Sequence, residues 1–198
     1  VKIGKQLFAG EGPKIIENFN KQGFDIFLDL KLHDIPNTVY KALKNLLKHE
    51  VWMTNIHLLG GEEMIQAARE ARESMKSEVL LIGVSVLTSL SEKNIKNMGF
   101  DIQIPELVKN LSMSAKQNNI DGVVCSAKEV PEIKKNLGED FITVTPGIRI
   151  QQKNDDQSRV ATLKEATNIG SDYIVLGREI TASENISKMI KKVESYII

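Results

Sequence analysis

A chain of 198 residues with 41% hydrophobic and 26% charged content has the make-up of one globular domain with a substantial core. Its 26 Lys and Arg balance its 26 Asp and Glu, so no global field draws it towards nucleic acid or an anionic membrane, and any anion site has to be local. The one cysteine, Cys125, excludes an internal disulfide framework, and no run of about 18 apolar residues signals a membrane span, so the reading is of a cytoplasmic protein.

The chain opens on Val1-Lys2-Ile3-Gly4, a strand already under way without an initiator methionine, which reads as a missing upstream segment. Short β-branched runs then alternate with amphipathic stretches. Strands are expected at about 1–4, 24–32, 53–59, 79–87, 121–126, 141–146 and 173–177. Helices are expected at about 12–22, 37–49, 62–75, 102–118, 128–137, 163–169 and 185–196, one after each strand. Gly23, Gly122, Gly138 and Gly170 fall near helix-to-strand joints, where a left-handed residue commonly ends a helix. Consecutive βα units without a GxGxxG turn suit an α/β (β/α)8 TIM barrel lacking its first strand, with 1–198 a single domain, better than a doubly wound sheet. Cys125, in the run Gly-Val-Val-Cys-Ser, reads as core packing in preference to a reactive thiol, and Trp52 and the six methionines as core or interface filler.

In such a barrel the chemistry sits at the carboxyl ends of the strands. The second strand ends Asp29-Leu30-Lys31-Leu32, followed by His33-Asp34-Ile35-Pro36-Asn37-Thr38. Plain alternation puts Asp29 and Lys31 on one face and the leucines on the other. A salt bridge that merely closes the barrel would satisfy that pair. Lys2 on the neighbouring strand and Asp34 just beyond the end extend it to a Lys, Asp, Lys, Asp array, which is costly for stability and useful for chemistry. Arginines follow the last two strands, in Pro146-Gly147-Ile148-Arg149 and Leu176-Gly177-Arg178, where barrels commonly bind phosphate. The polar stretch 151–158 fits a lid or a passive surface loop. His33, His49 and His57 form no H-x-x-x-H pair and no Cys/His cluster exists, so no metal site is expected; a structural hydrogen bond is favoured for His57.

The segment Asp29-Leu-Lys31-Leu-His-Asp34-Ile-Pro-Asn-Thr38 resembles the D-x-K-x-x-D signature of the orotidine 5′-phosphate decarboxylases. Further landmarks recur in order: Lys2, His57 with Gly60-Gly61, Leu87-Thr88-Ser89, 122–127, Thr145 to Arg149, Asp156-Gln157 and Gly177-Arg178. The resemblance implies a cofactor-independent decarboxylation of a small nucleotide, with Lys31, Asp29, Lys2 and Asp34 as the catalytic set. It also implies that Thr88 contacts the pyrimidine, that Gln157, Gly177 and Arg178 bind the phosphate with Arg149 near the same loop, and that Asp34 and Thr38 reach into the neighbouring site of a homodimer. Two departures stand out. The family's first strand and its aspartate have no counterpart here, and Leu58-Leu59 replace small residues before Gly60-Gly61, which reads as packing variation.

Loss of CO2 from the ring leaves charge in an orbital outside the π system, so fixed electrostatics must carry the reaction that the resemblance implies: Asp29 is expected to disfavour the bound carboxylate, and Lys31 to stabilise and protonate the carbanion. The closest alternative is a metal-dependent sugar-phosphate decarboxylase or synthase sharing D-x-K-x-x-D; a second is a nucleotide-binding pseudoenzyme. A Schiff-base aldolase needs a neutral amine, which flanking carboxylates disfavour.

Overall fold

The structure is a computed structural model that describes residues 1–150 and 161–197. In chain order its elements are β1 (Lys2–Gly4), α1 (Lys5–Glu11), α2 (Lys14–Asn20), β2 (Phe27–Leu32), α3 (Pro36–Leu46), β3 (Met53–His57), α4 (Glu62–Ser74) and β4 (Leu80–Val84). There follow α5 (Glu92–Asn97), α6 (Ile104–Gln117), β5 (Gly122–Val124), α7 (Val130–Leu137), β6 (Ile142–Thr145), β7 (Ile148–Arg149) and β8 (Ala161–Thr162). The last four are α8 (Leu163–Asn168), β9 (Tyr173–Ile174), α9 (Arg178–Thr181) and α10 (Ile186–Ile197).

Two compact units emerge, Val1–Val84 with Met113–Gly122, and Ser85–Ser112 with Val123–Ile198. In the first, β1, β2, β3 and β4 lie side by side in that order, every pair parallel. Parallel neighbours require a crossover, and the helices supply it. Ile3, Ile16, Ile26 and Leu28 form one fully buried cluster, with Phe8, Phe19, Leu46 and Val51 packed against it. In the second, β5, β6 and β9 are neighbours in that order, and β7 pairs in parallel with β8 as a separate two-stranded piece. Its core joins Ile148, Ile150, Leu163, Ala166 and Val193. Strands that each lie beside their predecessor in the βα series are the construction of the (β/α)8 TIM barrel, and the fold is of that α/β class.

The seven expected strands all form, trimmed at their ends, but the pattern of one helix per strand does not hold. Two helices follow β1, because Gly12 turns left-handed at φ 64° and Pro13, lacking an N–H, starts a new helix. Two also follow β4. The first, α5, is opened by a capping box in which Asn94 Oδ1 accepts the Ser91 N–H at 2.9 Å, and it is too short for periodicity to show. Gly23, Gly138 and Gly170 have positive φ as expected, whereas Gly122 lies within β5 and the left-handed turn before it falls on Asn119, at φ 55°. Asn tolerates that region through its short polar side chain. Cys125 is fully buried, Met53 and Met64 are core residues, and Met98 and Met113 are exposed.

Candidate active site

The carboxyl end of β2 is where the first unit departs from regular geometry. Pairing with β3 runs Phe27↔Met53 and Leu28↔Thr54, then resumes at Leu32↔Ile56. Three residues, Asp29, Leu30 and Lys31, therefore stand opposite one, Asn55. The excess is accommodated at Lys31, whose φ of 50° is left-handed, a conformation that costs a non-glycine residue about 1–2 kcal/mol. Plain alternation of side chains thus fails here. Asp29 and Lys31 do meet, but by way of this bulge.

Asp29 is the centre of the group. Only 9% exposed, it accepts from Lys31 Nζ at 2.6 Å and Asn55 Nδ2 at 2.7 Å on one oxygen, and faces Lys2 Nζ at 3.0 Å on the other. Lys2 reaches it because Gly4, two residues along β1 and paired with Asp29, has no side chain: a Cβ there would lie 3.2 Å from the Lys2 ammonium. Burial pushes the Asp29 carboxyl up, but the hydrogen bond and charge of Lys31, the Asn55 amide and the charge of Lys2 together hold it below its ordinary value of 3.8. Lys2 and Lys31 keep roughly a third of their side chains exposed.

One step further along β3, His57 stacks on His33 with ring centroids 5.1 Å apart. Burial, then the charges of His33, Lys31 and Lys5, lower its pKa to about 4. The His57 Nδ1 accepts the Leu59 N–H, which only the neutral ring can do. Gly60 allows this close packing, since a Cβ there would come 3.2 Å from the His33 ring and within 2.1 Å of Met64 Sδ. Leu58, 2% exposed, packs over Gly83, in keeping with a packing role.

Asp34, Ile35 and Thr38 are exposed, Ile35 to 66%. The Asp34 carboxylate accepts the Ile35 N–H at 2.7 Å and forms no ion pair with Lys2 or Lys31, so the ion pairs within this chain join Lys2, Asp29 and Lys31.

In the second unit, Thr88 is 8% exposed in the loop after β4, and Arg149, 6% exposed, lies in β7, a strand the sequence reading left as loop. The Arg149 Nη1 donates to the Ile148 carbonyl at 3.0 Å. Gly177 and Arg178 are exposed where α9 begins. A cavity of about 370 Å³ in this unit, with Leu90, Ile104, Val108 and Ile133 among its lining residues, includes none of these four. Asp156 and Gln157 lie outside the described residues. Among the described residues no group of three His, Cys, Asp or Glu side chains is placed to hold a metal ion.

Asn55 is the residue that sequence reasoning passed over. The available signal was an asparagine, a residue depleted in strands, inside the expected strand 53–59; the structure shows it fully buried.

The comparisons agree with one another. The family described as "Orotidine 5'-phosphate decarboxylase / HUMPS family" matches residues 1–193. An orotidine 5'-phosphate decarboxylase of Saccharophagus degradans is 49% identical over 194 residues, covering 98% of this chain and 82% of that protein. One from Carboxydothermus hydrogenoformans is 49% identical over 189 residues, covering 93% and 79%. The crystal structure of orotidine 5'-phosphate decarboxylase from Lactobacillus acidophilus superimposes with a TM-score of 0.87 at 37% identity, over 100% of this chain and 86% of that one. With a match over nearly the whole length, and with the charged group of the signature assembled at the end of β2, the chain belongs to the orotidine 5'-phosphate decarboxylase / HUMPS family.

Proposed function

We infer that the chain converts orotidine 5′-phosphate to uridine 5′-phosphate and CO2, the decarboxylation that completes a pyrimidine nucleotide. The observation that carries this reading is the buried Asp29 carboxylate held 2.6 Å from the Lys31 ammonium and 3.0 Å from that of Lys2. A substrate carboxylate placed beside Asp29 meets a like charge in a poorly solvated site, which disfavours the bound acid relative to the transition state. As the C6–carboxyl bond breaks, its electron pair stays on C6 and CO2 departs. The Lys31 ammonium stabilises that charge and transfers a proton from Nζ to C6, then regains one from solvent. Lys2 orients Asp29 and the ribose hydroxyls.

The remaining roles rest on resemblance and on residue chemistry. Thr88 contacts the pyrimidine. Gly177, Arg178 and Gln157 take the phosphate, glycine by close backbone approach and arginine by paired N–H donors, with Arg149 beside them. Asp34 and Thr38 serve the site of a second copy in a homodimer; their exposure, with Ile35 between them, is compatible with that use. Among the described residues no helix is long and apolar enough to cross a membrane, and the reading takes the cytoplasm as the compartment. No cofactor enters the scheme.

The test is loss of orotate absorbance on adding orotidine 5′-phosphate to the purified protein, with and without a strong chelator. Turnover indifferent to chelator supports the reading. Turnover abolished by chelator and restored by a divalent ion would point to a metal-dependent sugar-phosphate enzyme, and uridine 5′-phosphate binding without turnover to a pseudoenzyme.

A further inference from the structure

Asn55 is fully buried, and both ends of its amide are engaged. Its Oδ1 accepts the backbone N–H of Lys31 at 2.7 Å, and its Nδ2 donates to Asp29 Oδ1 at 2.7 Å. One planar group therefore ties the main chain of the ammonium residue to the side chain of the carboxylate residue. The orientation is fixed by the partners: turned over, the amide would set donor against donor and acceptor against acceptor.

This bond lies where strain has to be held. Lys31 at φ 50° occupies a conformation that persists only when its surroundings over-determine it, and in the bulge its N–H has lost the ladder partner a regular strand would give it. Asn55, the one β3 residue facing the three of the bulge, replaces that partner. Its other end turns the Asp29 carboxylate so that one oxygen takes Lys31 and the second faces Lys2.

Resting on the decarboxylase reading above, we propose that Asn55 is a positioning residue for the reaction: it holds the left-handed turn at Lys31 and the rotamer of Asp29 in one register, so that ammonium and carboxylate address the same reacting carbon. No other side chain of the first unit bonds to both residues. Asparagine suits the position for a physical reason. Aspartate would keep the acceptor but set a second charge against Asp29, leucine would leave the Lys31 N–H buried without a partner, and glutamine would overfill the bulge.

Asn55→Asp and Asn55→Leu test the proposal, read by kcat, KM, thermal midpoint and the pH dependence of kcat. The charged or titratable groups near Asp29 are Lys2 from β1, Lys31 on its own strand and, further along β3, His57, which is neutral above pH about 4. We expect both folded variants to lose on the order of 10²-fold in kcat, with KM changed less than about threefold. In Asn55→Asp the acid limb of the kcat profile moves to higher pH, because a carboxylate neighbour makes Asp29 easier to protonate. A residue with only a structural role would lower the melting temperature of Asn55→Leu and leave the kcat of the folded variant near the parent's. A folded Asn55→Asp with the parent's acid limb and a kcat within about threefold overturns the proposal. Should neither variant fold, amide hydrogen exchange in the parent decides: a Lys31 N–H exchanging as fast as an exposed loop is not held by Asn55. The parent's own turnover, measured alongside, tells failure of this inference from failure of the decarboxylase reading.

Discussion

Asp29 and two other carboxylates of this chain share ingredients and differ in what holds them. Asp121, just before β5, accepts the Leu81 N–H at 2.7 Å and an ion pair from Arg72, which also donates to the Asn119 carbonyl at 3.0 Å. Asp172, just before β9, repeats the device in the second unit: it accepts the Thr143 N–H and hydroxyl at 2.7 Å each and pairs with Lys134 at 2.7 Å. In both, an aspartate bonds the main chain of the preceding strand in the series and a cation on the helix leading into that strand. Among the described residues Asp29 instead takes three side-chain donors, Lys31, Asn55 and Lys2, and no backbone N–H. A carboxylate bonded to backbone pins strands together. One bonded only to side chains, two of them partly exposed ammonium groups, has the setting that the proposed mechanism asks of a carboxylate acting on a ligand.

The largest way to break the comparison is Lys31→Ala. We expect kcat to fall by at least about 10⁴-fold, since on the proposed mechanism proton donor and charge stabiliser are lost together. Binding of uridine 5′-phosphate by calorimetry should be largely kept, and the thermal midpoint should move little because Asp29 retains Lys2 and Asn55. Near-normal turnover would remove Lys31 from the mechanism.

His57 sharpens the comparison from the stability side. With its pKa lowered from 6.5 to about 4, the unfolded chain binds a proton that the folded one does not between those values, so stability falls as pH drops through that window. The effect is on the order of 3 kcal/mol at full extent. Asp29 and Asp172 carry lowered pKa values, so their stabilisation is lost only as pH falls below about 4, which keeps the two effects apart. Melting curves from pH 7 to 4 should show the fall, and His57→Gln should flatten it; a variant with an unchanged slope would place the proton uptake elsewhere.

The clasps come next. Among the described residues, Asp172→Ala leaves the Lys134 ammonium, 8% exposed, with only the Glu139 carbonyl at 2.6 Å, and it takes the Asp172 acceptor from the Thr143 N–H. Because Asp172 is itself partly exposed, we expect a loss of about 2 kcal/mol rather than the larger cost of breaking a fully buried pair. The kcat of the folded variant should stay within about twofold of the parent. A large fall in kcat at undiminished stability would end the division between pinning and acting carboxylates.

How much of this was legible in the sequence follows the same division. The βα rhythm is written in hydrophobic periodicity, and every strand of the main series was expected close to where it lies. D-x-K drew attention to Asp29 and Lys31 because two charges in an apolar strand need an explanation. What could not be read was local: alternation has no way to foresee that Lys31 turns left-handed, and so none to foresee that one Asn55 faces three residues. The two clasps were hidden for another reason. Arg72 and Asp121 are 49 residues apart, and only folding makes them neighbours.

Left-handed lysines offer the finest cut between the two kinds of region. Lys76 follows α4 at φ 49°, exposed, in the same conformation as Lys31 at φ 50°. At Lys76 the turn merely ends a helix, its N–H donating to the Glu73 carbonyl at 2.9 Å, and glycine would relieve the crowding of Cβ against its own carbonyl. We expect Lys76→Gly to stabilise the protein by up to about 1 kcal/mol in urea melts, less whatever the more flexible unfolded chain takes back, with kcat unchanged. The same relief at Lys31 is unavailable without deleting the ammonium, so on the proposed mechanism the strain there is bound to the chemistry. A Lys76→Gly protein that is clearly destabilised would mean that a left-handed lysine is not a strained element at Lys76, nor by the same measure at Lys31.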